Sequence, residues 1–529
     1  MNGKEVYLRQ NVMAEPLINQ WYAWAYLVAP ATAAMYIANS HLKILQSFVS
    51  SPQIHISALK NPMMRGGPFI NFDAGKVPQV RALLDKTTKE QSHMLEFAAA
   101  VHTLNGVLAN EADGSSLLNF YARTPEALRG YVELVYDLNN HPSVRFIEGL
   151  LYRSPYFNTA SQSVSLSLIE GDERPFTLSN PNLGGEGRLH LPVPFASEAL
   201  DELFKMKFEP RPYGYISELL GVREEDDQLF STFFTEEAPA HSPERYSGDG
   251  VRVRYFGHAC VLVESKEVSV LSDPVLSYRY PSDIFRYSYD DLPDVIDFVV
   301  LTHNHQDHCM FETLLQLRHR VKTVVVPKNN GGGLADPSLK LVLKNIGFRD
   351  VRELDEMETI EFQGGSITGV PFLGEHADLN VRTKLAPLVR VADKSVMFAA
   401  DSNNIEPKLY EHVHRQVGDV DALFIGMECD GGPLSWLYGP FMTKPLQRKQ
   451  DQSRRLDGSD YEKAIDIVDR LHPNKVFVYA MGLEPWLTYL TSIQYTPDSN
   501  PIVESNKLVE ECRRRGLESE ILNGHREIF

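Results

Sequence analysis

The stretch 297–308, DFVVLTHNHQDH, limits what this chain can be more than any other. Phe298, Val299, Val300 and Leu301 make a buried strand that runs directly into His303, His305, Asp307 and His308. Residues two apart on an extended backbone point to the same side, so His303 and His305 can share one metal ion. Asp307 and His308 lie in the tightening loop beyond and can face a second ion about 3.5–4 Å away. With 17 histidines in 529 residues, composition alone yields an HxHxDH run in roughly one such chain in a thousand. The run is read as a dinuclear metal site at a strand end.

Such a site needs sheets to present it. Short β-rich runs follow one another at 251–256, 259–264, 268–272, 298–301, 323–326, 359–362, 366–370, 388–391, 395–400, 422–427 and 475–479. Helical patterns intervene at 311–318, 339–345, 458–471 and 506–515. Strands before and between helices predict covered sheets, an α/β architecture with its site on the loops at strand ends. The polar, Pro- and Gly-bearing stretch 236–250 lacks periodicity and predicts a boundary, dividing the chain into residues 1–245 and 246–529. The first part is mixed α+β. It has a helical pattern over 77–109, a helix expected to start at Thr124 with Pro125 in its first turn, and short strands at 163–169 and 188–193. His55, His93, His102, His141 and His190 are scattered there and form no motif. Residues 21–39 carry no charge over nearly a bilayer-spanning length, but Pro30, the alanines and the tyrosines predict a buried helix pair broken near Pro30.

Charge and cysteine usage narrow the setting. The net charge is −18, and residues 1–250, with 20 basic and 29 acidic side chains, are as acidic as the remainder. Electrostatic capture of nucleic acid or an anionic membrane is therefore not expected. Four cysteines without a CxxC pair fit a reduced, cytoplasmic setting, and the first residues lack a secretory signal pattern.

The HxHxDH run resembles that of the metallo-β-lactamase superfamily, and GHAC at 257–260, LSDP at 271–274 and FAAD at 398–401 agree with it. The resemblance implies a four-layer αββα fold over 246–529, with Asp401 as the carboxylate between two metals. Two departures stand out. Where a typical dizinc member supplies a further histidine, FLGEHAD at 372–378 offers Glu375 beside His376. The late histidine is missing from AMGLEP at 480–485, and His472 lies too far back along its strand to replace it. If Glu375 ligates, a carboxylate-rich donor set favours a harder, redox-active metal over zinc.

Length, the WYAW…SHLKIL segment (21–45), THNHQDH, GEHAD, AADSN and MGLEPW together resemble the diiron β-hydroxylases of nonribosomal peptide biosynthesis. This resemblance implies two iron ions held by His303, His305, Asp307, His308, Glu375 and Asp401, with dioxygen as cosubstrate and an external electron donor. The implied reaction is hydroxylation of the β-carbon of an amino acid held as a thioester on a carrier protein. L-p-aminophenylalanine, as in the chloramphenicol pathway, is the first substrate choice. A homodimer, with residues 1–245 serving dimerisation or carrier recognition, and an electron-transfer partner complete the expectation. Glu428, in GMEC at 426–429, is a candidate acid or base beside the metals. Trp486 is a candidate wall of the substrate channel, and NNGGG at 329–333 a candidate flexible entrance. Arg448, Lys449, Arg454 and Arg455 form a basic cluster, either a solvated loop or a receiving surface for an acidic carrier protein. The competing reading is a dizinc hydrolase of a phosphodiester, lactone or amide, which shares the HxHxDH run but not Glu375.

Overall fold

The computed structural model describes residues 3–529. Among the described residues, two seven-stranded sheets build the second half of the chain. The first sheet runs in the order Val351–Leu354, Val321–Pro327, Ile296–Val300, Ser269–Ser272, Cys260–Glu264, Arg252–Gly257 and Arg526–Glu527. The second runs Thr359–Phe362, Gly365–Val370, Ala386–Val391, Lys394–Phe398, Ala422–Ile425, Lys475–Val478 and Glu518–Ile521. Their central strands are near-continuous apolar runs buried along their length, as sheets covered on both faces require.

Between the sheets, Val253, Tyr255, Val261 and Val263 meet Val389, Phe398, Phe424 and Phe477. Helices Lys408–Val417, Tyr461–Leu471 and Asn500–Arg514 cover the second sheet through Tyr410, Val413, Ile467 and Leu508. Helices Phe311–Leu317 and Leu339–Asn345 cover the first. The layers are helix, sheet, sheet, helix, as the sequence implied. Strands Ser269–Ser272, Ile296–Val300 and Val321–Pro327 are parallel, as are Lys394–Phe398, Ala422–Ile425 and Lys475–Val478. Parallel strands send their C-terminal ends to one edge, which gathers the loops at 273, 301–308, 399–401 and 426–428. The backbone amide of Leu385 donates to the Thr302 carbonyl at 2.8 Å and ties the sheets together there.

The first half carries a four-stranded sheet, ordered Trp21–Tyr22, Val12–Ile18, Gln162–Leu168 and Leu189–Leu191, with long helices Val77–Glu90 and Ser92–Glu111. The charge-free 21–39 run is broken as expected. Strand Trp21–Tyr22 is followed by helices Ala25–Val28 and Pro30–Tyr36, the second opening on its proline, and all three are buried. No helix among the described residues is long and apolar enough to cross a membrane. The helix expected at Thr124 is only a single 3-10 turn, Glu126–Leu128, with no side-chain cap. Thr124 instead turns its hydroxyl back to the Phe120 carbonyl, so the capping chemistry closes the preceding turn.

Candidate metal centre

Each sequence-predicted metal residue sits at the end of a strand or in the loop that follows. His303, His305, Asp307 and His308 come off Ile296–Val300, Glu375 follows Gly365–Val370, and Asp401 follows Lys394–Phe398. The loops are tightly turned: Asp273, Glu375, Ala400 and Ala480 all have left-handed backbones, with φ of 35°, 66°, 49° and 56°. Non-glycine residues persist there only where surrounding structure fixes them. Gly374 and Gly426 are needed for space. A Cβ on the first would lie 2.4 Å from Asn403 Cβ, and on the second 2.6 Å from Asp401 Oδ1.

The side chains fall into overlapping triads: His303, His305 and Glu375; His303, His308 and Asp401; His258, Asp307 and His308. His305 Nδ1 stands 2.6 Å from Glu375 Oε1. Asp401 Oδ2 stands 3.2 Å from His308 Nε2 and 3.7 Å from His303 Nε2, between the two sets. His303 Nε2, His308 Nε2, Glu375 Oε2, Asp401 Oδ1 and Glu428 Oε2 are buried with no hydrogen-bond partner. Buried polar atoms are as a rule paired, and orphans that converge on one space are what a pair of bound cations would satisfy. The residues fit a dinuclear metal centre.

The surrounding hydrogen bonds fix which nitrogen of each imidazole is free. His308 Nδ1 lies 2.8 Å from Asp273 Oδ2 and donates to it, leaving Nε2 with its lone pair toward the site. Thr302 Oγ1 gives its proton to the same carboxylate oxygen at 2.5 Å. It can therefore only accept from His303 Nδ1 at 3.0 Å, and His303 Nε2 also faces the site as a base. His305 uses the other nitrogen. With Nδ1 toward Glu375, its Nε2 donates to Tyr438 Oη at 3.2 Å, and Tyr438 donates in turn to His376 Nδ1 at 2.6 Å. His376 belongs to none of the triads among the described residues, whereas Glu375 belongs to one, with His303 and His305.

Electrostatics follow from burial and crowding. Burial, with His308 and His305 nearby, holds His303 far below its ordinary range, so it is a neutral donor. Burial alone would also depress His308, but Asp401 and Asp273 outweigh it and raise the imidazole well above its usual value. A cation bound at that point would take the place of the proton. Burial raises Glu375 despite the neighbouring His305, and raises Glu428 to about 7.

Sequence reasoning missed His258 and underrated Asp273. His258 follows Gly257 in a tight turn at φ 51°, its Nε2 3.3 Å from Asp307 Oδ2. Its Nδ1 accepts the Gly482 amide at 3.2 Å, which turns Nε2 toward Asp307, its partner with His308 in the third triad. The 480–485 loop, where a late histidine was absent, thus contributes backbone amides instead. Glu484 anchors that loop by accepting the His258 amide at 3.0 Å and the Tyr255 hydroxyl. The GHAC tetrapeptide held the only available signal. His472 belongs to an exposed cluster with His414 and Asp419, apart from the centre.

A cavity of about 310 Å³ opens onto His305, Asp307, Glu375, Asp401 and Glu428. Its walls include Trp436, Leu437, Leu456 and Ile493, with Arg65 and Gly66 contributed by the first half of the chain. The Trp436 indole N–H donates to the Gly66 carbonyl at 2.9 Å. Trp486 is not part of this wall. It is buried against Val275, Met310 and Leu490, with the Arg286 guanidinium 4.1 Å from its ring centre. The 329–333 loop is no entrance either: Asn329 is bound to Glu148 and the Asp336 carbonyl, and Gly332 packs on Phe146. Within the basic cluster, Arg454 and Arg455 donate to the carbonyls of Ala377 and Asp430.

Comparison with known proteins agrees with this geometry. Residues 7–239 match the profile described as the diiron non-heme beta-hydroxylase N-terminal domain, and residues 269–432 match a beta-lactamase superfamily domain. The chain is 39% identical over 525 residues to the 4-amino-L-phenylalanyl-CmlP-peptidyl-carrier-protein 3-hydroxylase of Streptomyces venezuelae, covering 98% of each. The chain belongs to the diiron β-hydroxylase family. The crystal structure of CmlA, a diiron beta-hydroxylase from the same organism, superposes with a TM-score of 0.93 at 38% identity over 99% of both chains. The β-hydroxylase is therefore a non-heme diiron enzyme by family and a metallo-β-lactamase fold by architecture.

Proposed function

We propose that this β-hydroxylase binds two iron ions and, with dioxygen and an external electron donor, hydroxylates the β-carbon of an aromatic aminoacyl thioester on a nonribosomal peptide synthetase carrier protein. 4-Amino-L-phenylalanine is the first substrate choice, from the likeness to the Streptomyces venezuelae enzyme. The observation that carries the metal reading is Glu375, whose buried carboxylate stands against His305 where zinc relatives keep an imidazole. His303, His305 and Glu375 would hold one ion, and Asp307 and His308 the other, with Asp401 within reach of both His303 and His308. Glu428, whose Oε2 is buried and unpaired on the wall of the same cavity, is the candidate acid or base beside the ions.

Iron would supply what zinc lacks, the reduction of dioxygen and removal of hydrogen from the benzylic β-carbon. The chain's own residues do the rest. Asp273 and Thr302 hold the His308 and His303 rings in their ligating tautomers, and Tyr438 does so for His305. Trp436, Leu437, Leu456 and Ile493 seat an aromatic side chain and exclude water from it. A substrate tethered through its carrier meets the ions as if intramolecularly, which lowers the barrier by several kcal/mol. Residues 1–245 provide one cavity wall, and we assign them carrier recognition or homodimer formation, with 246–529 as the catalytic part. Free cysteines are consistent with a cytoplasmic enzyme.

The test is mass analysis of aminoacyl carrier proteins after exposure to iron-loaded, reduced enzyme and isotopically labelled dioxygen. The expected result is gain of one labelled oxygen atom on the aminoacyl group. Tight binding of two zinc ions with hydrolytic turnover, and no oxygen incorporation, would establish the dizinc hydrolase instead.

A further inference from the structure

The charge-free 21–39 run has no role in the metal centre, yet its rings lead directly to it. Tyr438 touches the centre twice, through His305 Nε2 at 3.2 Å and His376 Nδ1 at 2.6 Å. Behind Tyr438 lies Tyr26, with ring centres 6.2 Å apart. Tyr26 packs on Trp24 at 4.6 Å, and Trp24 on Tyr36 at 5.2 Å. Tyr36 meets His41 at 6.1 Å, and His41 stacks on Trp21 at 3.9 Å with planes 4° apart. Every ring in this series is buried. Its far end, Trp21, is buried in strand Trp21–Tyr22 and stacks on His41 of the turn Ile37–His41, whose residues 38–40 are half-buried. A path of aromatic rings thus runs from a metal ligand, through the first half of the chain, toward the surface.

Packing alone does not ask for these residue types. Phenylalanine and leucine fill an apolar junction without burying hydroxyl or indole N–H groups, which cost free energy to desolvate. Here Tyr26 must place its hydroxyl on the Ala335 carbonyl and Tyr36 on that of Leu437, while the Trp21 indole N–H is buried without a partner. The chain has 4 tryptophans, and Trp21 and Trp24 both lie in this series. What tyrosine and tryptophan share, and phenylalanine lacks, is ready one-electron oxidation.

We infer that the series Tyr438, Tyr26, Trp24, Tyr36 and Trp21 is an electron relay that quenches the iron centre when dioxygen reacts without carrier-bound substrate. It rests on the diiron reading above. In coupled turnover, dioxygen, two electrons and two protons convert the substrate C–H to C–OH and water. Without substrate, the oxidising equivalents left at the centre take an electron from Tyr438, whose phenolic proton passes to His376 Nδ1. An electron then moves from Trp24, across Tyr26, to the Tyr438 radical, which recovers its proton from His376; the Trp24 radical cation keeps its indole N–H and is refilled from Trp21 across Tyr36 and His41. A one-electron reductant of the class that primes the irons refills that end. Two such transfers, added to the two electrons of the reduced irons and four protons from solvent, reduce dioxygen fully to two waters and leave no oxidised ligand.

The experiment exposes the reduced, iron-loaded full chain to dioxygen without carrier protein. It combines freeze-quench electron paramagnetic resonance, peptide mass spectrometry and oxygen consumption. The expected result is an organic radical signal, with oxygenated products concentrated at Trp21, Trp24, Tyr26 or Tyr36. In Tyr26→Phe and Trp24→Phe the signal shifts or falls, oxidation moves to His303 and His305, and iron is lost several-fold sooner. Oxygen consumption with bound iron but no radical, and damage confined to the ligands in the unaltered protein, would overturn the relay. So would variants with normal iron content whose radical and inactivation match the parent. Failure to bind iron or consume oxygen at all would overturn the diiron reading itself, and the relay with it.

Discussion

A histidine in this centre is defined by what its distal nitrogen touches. The HxHxDH spacing made His303, His305, Asp307 and His308 legible, because two-residue periodicity and a preceding apolar strand fix where they point. Asp273 was not legible: an aspartate after a strand is ordinarily a turn former, and its role depends on partners 29 and 35 residues onward. It accepts the Thr302 amide at 2.7 Å, the Thr302 hydroxyl and His308 Nδ1, with none of its surface exposed. Asp273→Asn presents an amide N–H₂ to groups that all donate, so the His303 and His308 rings lose their orientation. Metal affinity is expected to fall about 10–100-fold, the usual cost of removing such a partner. Competition with a chromophoric chelator measures it, and an affinity equal to the parent's would remove Asp273 from the centre's support.

At the scale of elements, short apolar runs between turn signals located the strands well, within a few residues at most boundaries, since the central strands are buried on both faces. The helices of the first half were harder. Thr124 and Pro125 carried a start signal that tertiary packing put to another use. Also invisible was a buried ion cluster that fastens helix Phe311–Leu317 to strand Val12–Ile18. Arg174 spans Glu312 at 2.8 Å and Glu15 at 2.9 Å, and Tyr22 and Tyr278 donate to Glu312 as well. Nothing in the sequence links Glu15, Arg174 and Glu312, which are brought together only by the fold. The Glu312 side chain is fully buried and that of Arg174 is 6% exposed. Arg174→Ala leaves the buried Glu312 carboxylate without its cation, while Glu15 keeps Arg188 at 2.9 Å, and removing one partner of a buried pair costs about 3–5 kcal/mol. Urea unfolding is expected to show that loss as a lower midpoint at unchanged slope. A shift under ~1 kcal/mol would mean that water reaches the cluster, as it does exposed pairs.

On the scale of the whole molecule, the polar stretch 236–250 suggested two parts, and it forms neither helix nor strand. What composition could not reveal is that one apolar core runs from residues 6–235 into the helices covering the first sheet. Lys207 sits in that junction. Its ammonium is 4.5 Å from the Tyr289 ring centre and 5.4 Å from that of Tyr278, with the Gln10 carbonyl at 3.4 Å. Burial pulls its pKa from 10.5 down to about 7, against the pull of Asp290. The sign of its effect on stability follows. The unfolded chain keeps the Lys207 proton up to its ordinary pKa, whereas the native state releases it from about 7. Between those values the unfolded state binds more protons, so this residue's contribution to stability rises with pH. Below about 7 both states are charged, and the native state bears the whole cost of the buried ammonium, on the order of 4 kcal/mol. Lys207→Met keeps the apolar stem and removes the charge. It is expected to stabilise the protein by a few kcal/mol at about pH 6 and by clearly less at about pH 9. Denaturation midpoints of variant and parent at the two pH values measure this, and a difference independent of pH would show that Lys207 remains charged in the folded junction.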